Sequence, residues 1–298
     1  MPGSDLHAED LELPAIYTSA DLASGRGQRR YLALSATRFV SIFVAATAGA
    51  IGAASGTLRV LAWVLLAGFV VAAFAEFALI RLQPERAWYS GRAIAESAKT
   101  LAWRFSVRGE PYGSSVSDKD AEALLLERIR EIVRKGSDKI DLSVGDAVVT
   151  ESMRRLRSTS FDQRRSTYLA QRTEGQRLWY SSNAKANSVR ATSFRFALLA
   201  VELIAIVAAA LALGRAEPID FAGIAGAVVA AGAAWMALKQ YSQLTSAYRV
   251  AAVELAIQAT VLKTVEEDKW DQAVADAEEA ISREHTMWLA SRGEEPLP

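Results

Sequence analysis

The chain has 298 residues, no cysteine, and 34 basic and 34 acidic side chains, so its formal net charge is zero. The absence of cysteine excludes disulfide bonds, thiolate metal sites and a cysteine nucleophile. A balanced charge provides no overall basic surface for nucleic acid, and we therefore expect no nucleic-acid partner.

The amino-terminal part, residues 1–37, is predicted to be a polar segment followed by a basic helix that Gly25 and Gly27 interrupt. Arg30 and Arg38 closely precede the first apolar run. That run is longer than the roughly 7 to 15 residues of a signal-peptide core, so we expect it to remain as a membrane anchor.

The sequence is dominated by four nearly uncharged runs, residues 39–58, 60–80, 196–214 and 221–238. Each has about 20 residues, which at about 1.5 Å per helical residue span a hydrocarbon layer of about 30 Å. Buried helices of a soluble protein are the alternative, but these runs lack the polar face that such helices turn to water. The sequence predicts an all-α membrane protein. Four transmembrane helices form two hairpins, residues 38–82 and 191–240, with long cytoplasmic helical extensions, residues 83–190 and 241–298.

Basic residues predict the orientation of the four spans. They lie before the first and third spans and after the second and fourth. The loop inside the first hairpin holds only Arg59, and the loop inside the second holds only Arg215, Glu217 and Asp220. Because positively charged flanks stay in the cytoplasm, both termini are expected there, in a multi-pass protein of the inner (plasma) membrane.

Two acidic residues interrupt the apolar runs, Glu76 in the second and Glu202 in the third. By residue count they lie about 8 and 10 Å inside the cytoplasmic boundary. A carboxylate at such a depth is costly, so it is expected to pair, to be protonated, or to face water. One interpretation is snorkelling or pairing with a flanking arginine, and the other is a cation-attracting vestibule in an oligomer.

Small residues recur at four-residue spacing in the first and fourth spans. In lipid, such residues let helix backbones approach and pack. The candidate helix-packing glycines are Gly49, Gly52, Gly56, Gly223 and Gly226. They serve either packing inside each hairpin or packing between the protomers of a homo-oligomer.

The first extension carries an aromatic and charged stripe at helical spacing, Trp88, Arg92, Glu96, Lys99 and Trp103. Ser117 is a predicted helix N-cap. Residues 161–193 contain no proline and place Tyr168, Arg172, Gln176, Trp179 and Tyr180 on one broad face. This helix is predicted to continue into the third span and to couple the cytoplasmic part to the membrane.

The carboxy-terminal extension repeats this organisation with two helices. An apolar stripe marks the first, at Tyr241, Leu244, Tyr248, Ala252, Leu255 and Ala259, and another marks the second, at Trp270, Val274, Ala277, Ile281 and Trp288. Arg38-Phe39 aligns with Arg195-Phe196, but little else matches. The sequence therefore predicts a repeat of the order of elements, which is a basic helix, a hairpin, a long helix and a second helix, rather than a repeat of closely similar sequence.

Catalytic motifs are absent from the sequence. It contains no glycine-rich nucleotide loop and no nucleophile elbow, and its two histidines, His7 and His285, lack the partners of a zinc motif. We expect no enzyme activity, no metal and no cofactor. A cluster of arginines could bind an anionic ligand or lipid headgroups, but more often forms a solvated or salt-bridged face: Arg154, Arg155, Arg157, Arg164 and Arg165.

Several short motifs together carry a family resemblance. They include Gly91-Arg92, Glu96-Ser97, Lys99-Thr100, Trp103-Arg104, Pro111-Tyr112 and Trp179-Tyr180, and the ending Ala277-Glu278 with residues 282–288, Ser-Arg-Glu-His-Thr-Met-Trp. They resemble the SLATT family, two-transmembrane effector domains associated with SMODS nucleotidyltransferases and SLOG sensors, in two tandem units. The resemblance implies a membrane effector of a prokaryotic conflict or antiviral defence system, triggered by a separate nucleotide-signal sensor or synthase.

Three functions therefore stay open. The first is an oligomeric effector that forms a pore or disrupts the bilayer and is gated through its cytoplasmic helices. The second is a constitutive or ligand-gated cation channel. The third is a non-conducting membrane scaffold that recruits a cytosolic partner, with Arg92, Glu96, Trp103, Trp179 and Tyr180 at the interface.

Overall fold

The computed structural model describes residues 11–55, 58–136, 148–212 and 221–290, and these residues form helices joined by short turns. The predicted all-α fold is confirmed. The helices are α1 (Ala15–Ser55), α2 (Leu58–Leu82), α3 (Pro84–Ser106), α4 (Asp118–Gly136), α5 (Glu151–Ser158), α6 (Phe161–Thr167), α7 (Gly175–Ala212), α8 (Phe221–Lys239), α9 (Tyr241–Thr264) and α10 (Trp270–Ala290). A π-helical segment, Tyr168–Glu174, joins α6 to α7.

The helices divide between two compact units. The membrane unit comprises described residues of 28–84 and 184–246, and the core unit comprises described residues of 11–27, 85–183 and 247–290. Three of the four passages of the chain between the units lie inside α1, α7 and α9, and the fourth lies at the start of α3.

The membrane unit carries apolar side chains on its outside. Four helical stretches are long and apolar enough to cross a membrane, Ala15–Gly52, Arg59–Ser106, Phe161–Leu211 and Phe221–Thr264. Large apolar side chains of the unit such as Phe74, Phe77 and Ile204 are exposed. Exposure of so much apolar surface to water is unfavourable, whereas contact with lipid tails is not. These residues are therefore suited to a bilayer.

The two spans that precede the extensions end in the same way. Gln83 follows α2 with φ of 43°, and Gln240 follows α8 with φ of 50°, both in the left-handed region. Their N–H groups donate to the carbonyl oxygens of Leu79 and Met236, which closes the last turn of each helix. The interval from Gln83 to Gln240 equals that from Arg38 to Arg195, so the two turns are equivalent positions of the duplicated architecture.

The predicted interruption of the amino-terminal helix is wrong, because α1 runs through Gly25 and Gly27. A glycine inside a helix costs only about 1 kcal/mol, which tertiary packing overrides. The packing partner here is α3. A Cβ placed on Gly91 would lie 2.8 Å from both the Ala20 carbonyl oxygen and the Ser24 amide nitrogen, so the two helices touch backbone to backbone.

Helix α3 is central to the core unit, because it contributes to three apolar clusters. Phe105 packs with Tyr112, Leu125 and Met153 in one cluster. Trp103 and Val107 belong to a second cluster with Tyr168, Trp270 and Val274. Ile94 packs with Ala20 and Ile132 in the third. Ser117 caps α4 as predicted, since its Oγ accepts from the Asp120 amide at 3.2 Å.

The long helix into the third span is present as predicted. Residues from Phe161 to Leu211 form one uninterrupted helical stretch. The π-helical geometry of Tyr168–Glu174 was not predicted, because hydrophobic periodicity does not distinguish one wide turn inside a helix. Such turns occur frequently at functional sites.

Candidate functional site

A fully buried ion pair joins the π-helical segment to α10. Arg172 is 1% exposed and Glu278 is 0% exposed. The guanidinium donates in a bidentate manner, from Nε to Oε1 of Glu278 at 2.8 Å and from Nη2 to Oε2 at 2.7 Å. Two parallel charge-assisted bonds fix both side chains in one orientation.

Two hydroxyl groups complete the coordination of this carboxylate. The Tyr168 hydroxyl donates to Oε1 of Glu278 at 2.9 Å, and the Thr100 hydroxyl donates to Oε2 at 2.9 Å. The four residues Thr100, Tyr168, Arg172 and Glu278 are called the buried network below. It connects α3, the π-helical segment and α10 through one carboxylate.

The local sequence explains how these residues meet. Tyr168 and Arg172 are four residues apart and both lie in the π-helical segment, so the two side chains share one face. Glu278 lies between Val274 and Ile281 on the buried face of α10. An acid inside an apolar stripe is the signal by which the sequence could have identified Glu278 as a site residue.

The electrostatics favour the charged form of the pair. Burial alone would raise the pKa of Glu278, but the attraction of Arg172 and the hydrogen bonds from Arg172, Tyr168 and Thr100 hold that pKa below its ordinary value. The pKa of Arg172 is raised, because Glu278 outweighs the effect of burial. Burial, together with the charge of Glu278, raises the pKa of Tyr168, which keeps its hydroxyl proton available for donation.

The buried carboxylate predicts a loss of stability in acid. Because the pKa of Glu278 is lowered from 4.5 in the folded protein, its stabilisation is complete above that value and disappears as the pH falls through the folded pKa. We expect the apparent Tm to fall more steeply between about pH 5 and pH 3 in the native protein than in Glu278→Gln. Tryptophan fluorescence during heating measures this slope, and equal slopes would contradict the role of Glu278.

Further charged groups surround the buried network. Lys99 lies over the ring of Tyr17, with Nζ 6.0 Å from the ring centroid. Burial and the nearby positive charge of Arg172 lower the pKa of Lys99, while Glu96 and Glu278 oppose that effect. Glu96 also contributes to the electrostatic environment of Tyr17, as does Arg92.

Aromatic rings cover the network on one side. The Trp103 ring meets the Tyr168 ring edge-on at 5.8 Å, and the Trp270 ring meets the same tyrosine at 5.9 Å. The indole nitrogen of Trp270 donates to the Val107 carbonyl oxygen at 2.7 Å, so its one polar atom is satisfied. These contacts exclude water from the carboxylate.

The other predicted coupling residues lie elsewhere in the core unit. Trp179 and Tyr180 form an aromatic cluster with Tyr248 of α9, with ring centroids 5.2 to 5.4 Å apart. Trp88 packs against Tyr89 at 5.0 Å. Gln176 is half-buried on α7. The structure thus divides the predicted broad face of residues 161–193 into two parts. Tyr168 and Arg172 belong to the buried network, whereas Trp179 and Tyr180 belong to an aromatic cluster.

Most of the arginine cluster forms ion pairs, as the commoner interpretation predicted. Arg157 is buried and donates to Asp118 at 2.8 Å and to the carbonyl oxygens of Phe105 and Tyr112. Arg154, Arg164 and Arg165 pair with Glu122, Glu267 and Asp162. These contacts occupy the guanidinium groups in structural roles.

The intramembrane acids differ in their surroundings. Glu76 of α2 forms an ion pair with Arg38 of α1. Glu202 of α7 is exposed, and no ion pair is found for it among the residues that the structure describes. Among the described residues, no shared partner links the two carboxylates.

The candidate packing glycines also differ from one another. A Cβ on Gly49 would lie 3.0 Å from Leu65, and one on Gly52 would lie 3.2 Å from Leu61, both residues of α2. One on Gly226 would meet nothing within 4 Å. Gly223 is exposed on α8, and Gly56 lies outside the described residues. Among the described glycines of the membrane unit, the closest approaches occur at Gly232, where a Cβ would lie 2.5 Å from Leu198, and at Gly68, where it would lie 2.8 Å from the Ser41 carbonyl oxygen. Neither was among the predicted packing glycines.

The buried network is closed to solvent around Glu278. Its carboxylate is saturated with donors and shielded from solvent. In the described part of the chain, no group of three or more histidine, aspartate or glutamate residues could hold a metal ion. The arrangement can instead hold three helical segments in one relative position and release them if the ion pair breaks.

Comparisons with known proteins extend these observations. Residues 14–165 match the family model described as SMODS and SLOG-associating 2TM effector domain 3, and residues 168–288 match the model described as domain 1 of the same series. No curated protein and no solved structure matches the chain. The two matches adjoin between α6 and the π-helical segment, confirm the predicted tandem arrangement and cover most of the chain. This multi-pass membrane protein therefore belongs to the SLATT family and carries two of its effector domains in tandem.

Proposed function

We propose that this chain is a non-enzymatic membrane effector of a prokaryotic conflict or anti-phage defence system, which acts as a homo-oligomer and opens a conducting path through the bilayer. The family description supports the effector role. The exposed apolar surfaces of the four candidate spans support an action within the membrane. We further propose that both termini lie in the cytoplasm, where the basic flanks would keep them.

One observation carries the gating step of this proposal. The helical stretch from Phe161 to Leu211 contains Arg172 near its start and the third candidate span at its end. A helix transmits displacement along its axis because its backbone hydrogen bonds resist bending. In this proposal, a change that breaks the pair of Arg172 with Glu278 is passed to the span along this continuous helical stretch.

The trigger in this proposal is a separate protein. The matched domains are described as associating with SMODS and SLOG, and the family resemblance links these to nucleotide-signal synthases and sensors. We propose that such a partner, or the signal it makes, acts on the core unit. The buried network is suited to be the responding element, since one carboxylate holds three helical segments.

The experiment that tests conduction is leakage of ions and dye from liposomes containing the full chain. If Glu76 and Glu202 line a cation path, Glu76→Gln and Glu202→Gln should each lower the leakage of potassium relative to chloride, because a carboxylate attracts cations. Glu279→Gln, which neutralises an exposed acid of α10, is the matched control. It should change neither the leakage of potassium nor that of chloride.

The results separate the components of the proposal. Unchanged potassium-to-chloride leakage in both variants would remove the two acids from the path. Leakage without any partner or signal would favour a constitutive cation channel over a triggered effector. Liposomes that stay sealed in the presence of the partner and of candidate cyclic nucleotides would contradict conduction altogether.

A non-conducting scaffold is a second candidate that one observation favours. Leu178 is 55% exposed and Trp179 is 42% exposed on neighbouring positions of α7 within the core unit. Exposed large apolar side chains of this kind are typical of protein-binding surfaces. Capture of a cytosolic partner that Trp179→Ala abolishes, together with sealed liposomes, would support this function in place of a pore.

A further inference from the structure

Helix α9 is apolar on two opposite faces. Its inner face packs within the core unit, where Ala251 and Leu255 contact Tyr180 and Ile281, and Leu262 is fully buried. The predicted stripe of α9 described this inner face. The opposite face, which the predicted stripe does not include, has no partner of its own in the described part of the chain.

The opposite face carries four exposed branched side chains. Val250, Val253, Ile257 and Val261 are 58%, 61%, 58% and 49% exposed. At about 100° per residue, Val250, Val253 and Ile257 lie within about 40° of the direction opposite to Leu255. The spacing of these three residues, three and then four, is that of the a, d and a positions of a coiled-coil seam, and Val261 lies beside that seam at an e position. These four residues are called the outer stripe of α9.

We propose that the outer stripe of α9 is the surface along which two copies of this chain associate, with their α9 helices parallel and in register. The proposal deepens and rests on the proposed function, since the second copy is the partner that an oligomeric effector requires. Isolated exposed apolar residues are ordinary, but four exposed branched side chains along one helix face, three of them at seam spacing, are not.

Charge complementarity identifies the occupant and its direction. Arg249 and Glu254 flank the outer stripe on its two sides and correspond to the g and e positions of a heptad that has Val250 at a and Val253 at d. Both are exposed, and no ion pair is found for either among the described residues. In a parallel, in-register pair, Arg249 of each helix faces Glu254 of the other copy, because g contacts the e position five residues further on.

The same charges disfavour the alternatives. In an antiparallel pair, g faces g and e faces e, so Arg249 would face an arginine and Glu254 a glutamate. A lipid surface is the other apolar occupant, but helices that lie on membranes carry basic residues along the polar border, and here one border carries Glu254.

Cysteine cross-linking of the full chain in liposomes tests the proposal, since the native sequence contains no cysteine. Val253→Cys and Ile257→Cys should form disulfide-linked dimers on mild oxidation, because a and d side chains of parallel helices face their equivalents. Ala256→Cys is the matched control. It is exposed on the same helix but about 100° from Ile257, so it should cross-link several times more slowly.

Charge exchange tests the direction of the pairing. Arg249→Glu and Glu254→Arg should each weaken association about fivefold, because two symmetric ion pairs become repulsive. The double variant, Arg249→Glu with Glu254→Arg, should restore association, since it exchanges the charges without losing complementarity. Failure of the double variant to restore association would overturn the parallel pairing.

The readouts distinguish this proposal from the proposed function. Protection of Val253→Cys from an aqueous thiol reagent without any cross-linking would show that lipid covers the stripe and would overturn the interface. Cross-linking in liposomes that never leak would support the interface and contradict conduction. Leakage with no cross-linking at any position of the outer stripe would contradict this interface and leave conduction standing.

Discussion

Replacement of Arg172 by methionine is expected to lower the apparent Tm of the core unit by roughly 6 to 20 °C. The substitution leaves the carboxylate of Glu278 buried without its counter-charge, which costs about 3 to 5 kcal/mol. For a protein of this size each kcal/mol corresponds to about 2 to 4 °C. Because Trp103 and Trp270 pack on Tyr168 of the same network, tryptophan fluorescence in detergent reports the transition directly.

Two control variants separate the buried pair from ordinary surface charges. Arg154→Met breaks a bidentate pair with Glu122 that is largely exposed, and it should cost less than about 1 kcal/mol. The double variant Arg172→Met with Glu278→Met removes both charges and should recover part of the lost stability, because an apolar pair of similar volume needs no counter-charge. Equal shifts for Arg172→Met and Arg154→Met would contradict the role of burial.

Gly68→Leu is expected to disrupt the first hairpin. Even a Cβ at this position would lie 2.8 Å from the Ser41 carbonyl oxygen and 2.9 Å from Cβ of Ala45. The obstacle is the backbone of α1, which cannot rotate away as a side chain can. Overpacking of this kind costs about 1 to 3 kcal/mol, and the additional methyl groups of leucine push the two helices further apart. We expect a lower apparent Tm in detergent and faster proteolysis of the hairpin.

Gly226→Leu is the matched control for this prediction. A Cβ at Gly226 meets no atom within 4 Å, so the substitution should leave the stability of the single chain unchanged. A drop in leakage without a drop in stability would indicate that Gly226 packs between protomers. If Gly226→Leu destabilised the protein as much as Gly68→Leu, the close approach at Gly68 would not be the cause.

Glycines at the tightest helix contacts show the limit of sequence patterns. The spacing of small residues identifies spans in which helices pack closely, and Gly49 and Gly52 do face α2. It does not identify which glycine meets a backbone, because that depends on where the axes of two helices cross. Gly68 meets the backbone of α1, although its four-residue spacing to Ala72 is no more distinctive than the spacing of the predicted glycines.

The sequence alone determined the helical class, the four apolar spans, the tandem family units, the cap at Ser117 and the inner stripe of α9. The family units follow from the resemblance of short motifs, and the other features follow from composition and from the periodicity of neighbouring residues, which local backbone geometry imposes. The tertiary structure alone decided that Glu278 receives Arg172, Tyr168 and Thr100, and that the outer stripe of α9 stays exposed. Partners separated by more than a hundred residues are chosen by packing in three dimensions, and no local pattern in one sequence records that choice.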